Sequence, residues 1–172
     1  MQTAAPSPYS ELYAAYAAGR LDPAFSLMLE TQTLLRGDVR ASLAVSETLS
    51  GAMLERAEPV AMRAGAGGRA LALIDALEEA EETAGPDLAE DKELSGLPKP
   101  LQAPALEAFA SAGWQGTAPG IKRLKLNVGS DLDVELYRIQ PGARVPRHTH
   151  GGLEYTLVVS GGFSDEAGTY GP

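Results

Sequence analysis

Apolar residues recur every three or four positions through the first half of the chain, which is the spacing of helices with one buried face. This pattern predicts four helices, over residues 10–18, 23–35, 39–56 and 68–82. The second helix has the clearest start, because Asp22 is a good capping residue and is followed by proline at the first helical position. We therefore expect the first half of the chain to form a small helical bundle.

After residue 112 the pattern changes to short apolar runs separated by turn residues. Val134 and Leu136 alternate with Asp133 and Glu135, which predicts a strand with one buried and one solvated face. Regular spacing of such runs is typical of an antiparallel barrel or sandwich. Following a short helix over residues 104–112, strands are expected over residues 113–115, 121–128, 132–139, 143–147, 153–160 and 162–166.

The two patterns are separated by a stretch rich in Glu, Asp, Gly and Pro, a composition typical of a solvated connector. We accordingly divide the chain into a helical domain over residues 8–82, a linker over residues 83–103 and a β domain over residues 104–172. The fold class is predicted to be α+β, with an N-terminal small helical bundle followed by an antiparallel β domain.

Charge and composition exclude several classes of function. Fourteen basic and 23 acidic residues give a net charge of −9 and a pI near 4.7, which opposes direct binding to nucleic acid. The chain has no cysteine, so disulfides, thiolate zinc sites and thiol redox chemistry within it are excluded. With no apolar stretch approaching about 20 residues and no signal-peptide pattern at its start, we expect no membrane contact and a cytoplasmic location.

The only two histidines, His148 and His150, stand two positions apart, and Glu154 follows shortly after them. Side chains at such spacing on a strand project from the same face, so two imidazoles can converge on one cation while a nearby carboxylate adds an oxygen ligand. We therefore predict a metal site formed by His148, His150 and Glu154, which leaves a further position for water or another ligand.

The spacing Gly-x5-His-x-His-x3-Glu-x6-Gly resembles the first motif of the cupin β-barrels, and Gly142, His148, His150, Glu154 and Gly161 fall on it without a gap. The resemblance implies that the β domain is a partial jelly roll, because the second cupin motif has no counterpart in this sequence. It also favours zinc at the predicted site, although another divalent transition metal remains chemically possible. A partial barrel has open sheet edges, so we expect a homodimer formed by sheet pairing.

The helical half also resembles a known domain. The run Tyr13-Ala-Ala-Tyr16-Ala-Ala-Gly19-Arg-Leu21, followed by Ala24-Phe25-Ser26-Leu27, is similar to the N-terminal domain of the ChrR-like anti-sigma factors, which carry a cupin at their C-terminus. That resemblance implies binding of a sigma factor of the extracytoplasmic-function type. The domain in this family holds zinc through one histidine and two cysteines, whereas the matching positions here are Gln32, Arg36 and Val39. We therefore expect no zinc in the N-terminal domain.

The leading hypothesis is an anti-sigma regulator whose helical domain binds the sigma factor and whose metal-binding cupin-like domain modulates release. Two alternatives stay open: a cupin-type metalloenzyme, and a metal-free dimerisation module in which the two histidines are vestigial and bind no metal. Several apolar residues of the first two helices are candidates for the partner-binding surface, or else form a small core. These residues are Leu12, Tyr16, Phe25, Leu29 and Leu35.

Overall fold

A computed structural model describes residues 9–83, 92–146 and 151–172 of the chain. The helices in these residues are α1 (Ser10–Ala17), α2 (Pro23–Leu35), α3 (Gly37–Leu54), α4 (Ala66–Thr83), α5 (Lys92–Ser95) and α6 (Lys99–Ala112). The strands are β1 (Gln115–Ala118), β2 (Ile121–Leu126), β3 (Val134–Ile139), β4 (Phe163–Ser164) and β5 (Thr169–Tyr170). Helices followed by antiparallel strands confirm the predicted α+β class.

The first three helices pack around a small core of their own. Asp22 precedes α2, and its side chain accepts a hydrogen bond from the backbone N–H of Ala24 at 2.8 Å, so the predicted cap is confirmed. Tyr16 and Leu21 pack against the edge of this core. The buried residues that form it, which we call the helical core, are Tyr13, Leu29, Val39 and Leu43.

The β half is built on a three-stranded antiparallel sheet in the order β1-β2-β3, followed by the short β4-β5 hairpin. Leu124 lies opposite Leu136 and Leu126 lies opposite Val134, so apolar pairs line one face of the sheet. Helices α5 and α6 cover that face. The second core, which we call the sheet core, contains the buried residues Leu94, Leu101, Ala105, Leu124 and Leu126.

Part of the predicted linker is packed into this core. Leu94 is only 1% exposed, and α6 begins at Lys99, five residues earlier than the predicted helix. The apolar residues Leu94, Leu97 and Leu101 are spaced as one helical face, a signal that the surrounding charged residues obscured. The packed part of the β half therefore starts within residues 83–103, while the division into domains stays a prediction.

Two predicted strands are not observed. Residues 143–146 and 153–160 have no regular secondary structure, and residue 147 lies outside the described residues. A strand requires a hydrogen-bonded neighbour, and none of the described strands pairs with either segment. Their apolar residues instead contribute to packing, since Val159 lies against the sheet core.

Helix α2 connects the two halves. Leu29 belongs to the helical core, whereas Leu27, on another side of the same helix, packs against the sheet core. At its start, Asp22 also accepts a hydrogen bond from the hydroxyl of Ser130, in the turn between β2 and β3, at 2.8 Å. One helix therefore takes part in both cores.

Candidate functional site

The predicted metal site is only partly visible. His148 and His150 lie outside the described residues, and Glu154 is the one predicted ligand within them. The carboxylate of Glu154 is exposed and accepts a hydrogen bond from Thr156 Oγ1 at 3.4 Å. Elsewhere among the described residues, no cluster of three or more His, Cys, Asp or Glu side chains could hold a metal. The assignment of His148, His150 and Glu154 as ligands stays a prediction.

The segment that carries Glu154 lies against the helical half. The ring of Tyr155 meets the ring of Phe25 edge to face, with centroids 5.1 Å apart and planes at 82°. Residues 151–155 form one wall of a cleft of about 500 Å³, and the residues of α2 that face it include Phe25 and Met28. A shift of this segment would therefore change its contacts with α2.

The five candidate partner residues of α1 and α2 are largely engaged inside the protein. Leu29 is 3% exposed in the helical core, and Leu12, Phe25 and Leu35 are half-buried. Tyr16 is also half-buried, and its hydroxyl donates to Glu30 Oε1 at 2.9 Å. Burial raises the pKa of Tyr16, and the hydrogen bond to Glu30 adds to the rise. Leu29 has the core role that the sequence left open, while partner contact by the other four stays a prediction.

A larger apolar surface lies on α3, on α4 and on the segment between them. Every residue from 51 to 77 is exposed except Ala66, which is half-buried. The large apolar side chains here are more than half exposed, reaching 87% at Val60 and 77% at Met62. We define the α3–α4 apolar surface by Val45, Leu49, Met53, Val60, Met62, Leu71, Ile74 and Leu77.

Six of these eight residues lie on helices, where their spacing places them along one face of α3 or of α4. Val45, Leu49 and Met53 are four positions apart and form one stripe along α3. Leu71, Ile74 and Leu77 are three positions apart and lie along one side of α4. An exposed apolar stripe along a helix is a candidate binding surface in a soluble protein. The periodicity of the sequence predicts these helices, but the packing of the other helices decides which of their faces is covered.

Two of the three positions where the resemblance implies zinc ligands have other roles in this structure. Val39 is 5% exposed within the helical core. Arg36 forms a salt bridge to Asp38, with Nη2 and Oδ2 2.6 Å apart, and the hydrogen bond from Arg36 holds the pKa of Asp38 below its usual value. Packing through Val39 thus contributes to the helical core at the position where the resemblance implies a metal ligand.

Residues 102–172 match the family described as the ChrR Cupin-like domain. Over 160 residues, the chain is 31% identical to the anti-sigma-E factor ChrR of Cereibacter sphaeroides, an alignment that covers 93% of this chain and 72% of that protein. The chain belongs to the ChrR family of anti-sigma factors. This confirms the predicted resemblance, and membership of an anti-sigma family makes the protein a regulator rather than an enzyme.

The fold comparison agrees with this assignment. The structure matches a chain in the crystal structure of Rhodobacter sphaeroides SigE in complex with the anti-sigma ChrR, with a TM-score of 0.68 and 31% sequence identity. The match covers 94% of this chain and 80% of that one. A bilayer could not be crossed by any of the helices in the three described ranges, since none is both long and apolar enough.

Proposed function

We propose that this protein binds a sigma factor of the extracytoplasmic-function type through the α3–α4 apolar surface. The observation that carries the proposal is the uncovered apolar face over residues 45–77, in a chain whose relative was crystallised with SigE. By binding through this surface, the protein would cover parts of the sigma factor that are needed for its action with RNA polymerase.

The chemistry of this surface suits a helical protein partner. Apolar side chains at helical spacing act as anchors when an amphipathic helix lies in a groove of another protein. Burying a single leucine or isoleucine contributes about 1.5–3 kcal/mol, so a few anchors such as Leu49, Leu71 and Ile74 can dominate affinity. The net charge of −9 adds long-range attraction to a partner with a basic face, which a DNA-binding protein presents.

The direct test is co-purification of this protein with the sigma factor encoded beside it. The two chains are co-expressed, with an affinity tag on this protein only, and the recovered complex is checked by size-exclusion chromatography. The proposal requires a complex of defined stoichiometry that inhibits transcription from a promoter dependent on that sigma factor. If the untagged sigma factor passes through the column unretained, the proposal is wrong.

We further propose that His148, His150 and Glu154 hold a divalent metal, zinc above all, and that this site modulates release of the sigma factor. Two imidazoles and one carboxylate are a donor set that zinc accepts. When bound, the metal would supply a charge that holds these three side chains together. Glu154 is followed directly by Tyr155, whose ring contacts Phe25 on α2, so a change at the site has a physical route to the helical half.

A homodimer through sheet pairing belongs to the same proposal. In the described part of the chain, β1 and β3 are the outer strands of the three-stranded sheet, and each has one edge that no described strand covers. Pairing of these edges between two copies would satisfy their backbone groups. Light scattering that gives the mass of a single chain would contradict the dimer.

Because a sigma factor acts on RNA polymerase, the proposal places the protein in the cytoplasm.

A further inference from the structure

The methionines in the described ranges fall into two different environments. The sequence has four methionines and no cysteine. Among the residues that the structure describes, Met28 is half-buried against the cleft beside α2, whereas Met53 and Met62 are 67% and 77% exposed. Two thioether sulfurs are therefore accessible to small oxidants, and a third is partly protected.

Both exposed methionines belong to the α3–α4 apolar surface. Met53 continues the stripe of Val45 and Leu49 at the end of α3. Met62 lies in the segment between α3 and α4, two residues after Val60, which is 87% exposed. Methionine suits such a surface, because its flexible thioether adapts to the shape of a partner. Its contribution to binding depends on the side chain being apolar.

Oxidation makes the apolar methionine side chain polar. When hydrogen peroxide attacks the thioether, an S–O bond forms as the O–O bond breaks, the sulfur loses two electrons, and the second oxygen leaves as water. The product, methionine sulfoxide, is polar and chiral and disrupts methionine-rich interfaces until a sulfoxide reductase restores the thioether. A sulfoxide oxygen buried against apolar partner groups has lost its hydrogen bonds to water, which opposes binding.

We propose that Met53 and Met62 form an oxidation-sensitive switch on the partner-binding surface. Conversion of both to the sulfoxide weakens binding of the sigma factor, and reduction restores it. The proposal rests on the proposed function of the α3–α4 apolar surface. It gives a chain without thiols a reversible response to peroxide that is separate from the predicted metal site.

The first measurement follows the oxidation itself. The purified full chain is treated with hydrogen peroxide, the reaction is stopped with catalase, and each methionine is followed by peptide mass spectrometry. Met53 and Met62 are expected to be oxidised several times faster than Met28, because their sulfurs are more exposed. Equal rates at the three positions would contradict the proposal.

The second measurement is affinity for untreated sigma factor, so that only this protein carries the oxidation. Oxidised wild-type protein is expected to bind about tenfold more weakly than reduced protein. The double variant M53L/M62L keeps an apolar surface but has no thioether there, so its binding should not change on treatment. The matched variant M28L should lose affinity as the wild type does, and M53Q/M62Q should bind weakly without any oxidant.

The outcomes separate the two proposals. Reduced wild-type protein that fails to bind the sigma factor overturns the proposed function and the switch together. Tight binding by protein in which both methionines are fully oxidised overturns the switch alone, and so does an equal loss of affinity in M53L/M62L. Circular dichroism of each variant before treatment establishes that its helices are intact.

Discussion

The carboxylate of Asp22 and the hydroxyl of Ser130 lie 2.8 Å apart, although 108 positions separate these residues in the chain. The same oxygen of Asp22 accepts the backbone N–H of Ala24, and the Ser130 hydroxyl accepts the backbone N–H of Leu132 at 3.0 Å. The start of α2 and the turn between β2 and β3 are thus held by one hydrogen-bond network. This network joins the half of the chain with the proposed partner surface to the half with the predicted metal site.

Replacing Asp22 by alanine should lower the free energy of unfolding by about 1–2 kcal/mol, because both the helix cap and the contact with Ser130 are lost. Replacing Ser130 by alanine removes the long-range contact but leaves the cap, so it should cost about 1 kcal/mol. Urea unfolding followed by circular dichroism measures both. If the effects of the two changes simply add in the double variant, the side chains are not coupled.

Substitutions L49D and I74D should each weaken binding of the sigma factor about tenfold or more, because a carboxylate would be buried against apolar partner groups. Leu34 offers a matched control: it is 55% exposed on α2, outside the α3–α4 apolar surface, so L34D should leave affinity nearly unchanged. Calorimetric titration of the purified proteins gives the affinities. Equal losses in all three variants would place the interface elsewhere.

The helical half should lose stability at alkaline pH through Tyr16. Folding raises the pKa of this hydroxyl above its ordinary value of 10.0, chiefly by burial. Its contribution to stability is therefore complete below pH 10 and is lost as pH rises through the folded-state pKa. Y16F should cost about 1 kcal/mol at neutral pH and show a smaller alkaline loss than the wild type. Y170F, which changes an exposed tyrosine, is the matched control in the same urea titrations.

Val39 should contribute to the stability of the helical half by packing. V39A should lower the free energy of unfolding by roughly 2 kcal/mol, because it leaves a cavity in the helical core. V45A lies on the same helix at a residue 69% exposed, and should change stability by less than about 0.5 kcal/mol. Adding a chelator should leave the helical signal of the wild type unchanged, and a loss of helix under chelation would show that a metal supports this domain.

The variants H148A and E154Q should retain much less metal than the wild type, because each removes one of the three predicted ligands. The matched control is E107Q, which changes an exposed glutamate on α6 that is not part of the motif. Elemental analysis of protein purified without added metal gives the content of each. A wild-type protein without stoichiometric metal would favour the metal-free dimerisation module.

The sequence predicted helix boundaries well where the signals are local. Asp22 and Pro23 define the start of α2, and the predicted end at residue 35 matches the observed helix because Arg36 adopts an extended conformation. The same reasoning failed for the strand expected over residues 153–160, because a strand depends on a neighbour distant in the chain. Local pattern contains no information about whether that neighbour is present.

The proposed partner surface was harder to predict than the helices that form it. Leu29 and Leu49 are both leucines on an amphipathic helix, yet the first is 3% exposed and the second 63%. Periodicity shows which side chains share a face, but only the packing of the other helices decides which face is covered. The metal site was predicted from residue spacing, and it stays a prediction because its two histidines lie outside the described residues.

The exposure of residues 51–77 should also affect how long the protein survives in a cell. Proteases cut preferentially where a backbone segment can open locally at little cost, and an uncovered helix such as α4 is held mainly by its own backbone hydrogen bonds. A bound partner would shield this stretch, whereas a solitary copy would present it for cleavage. The abundance of the regulator would then follow that of its partner, because unaccompanied copies are degraded first.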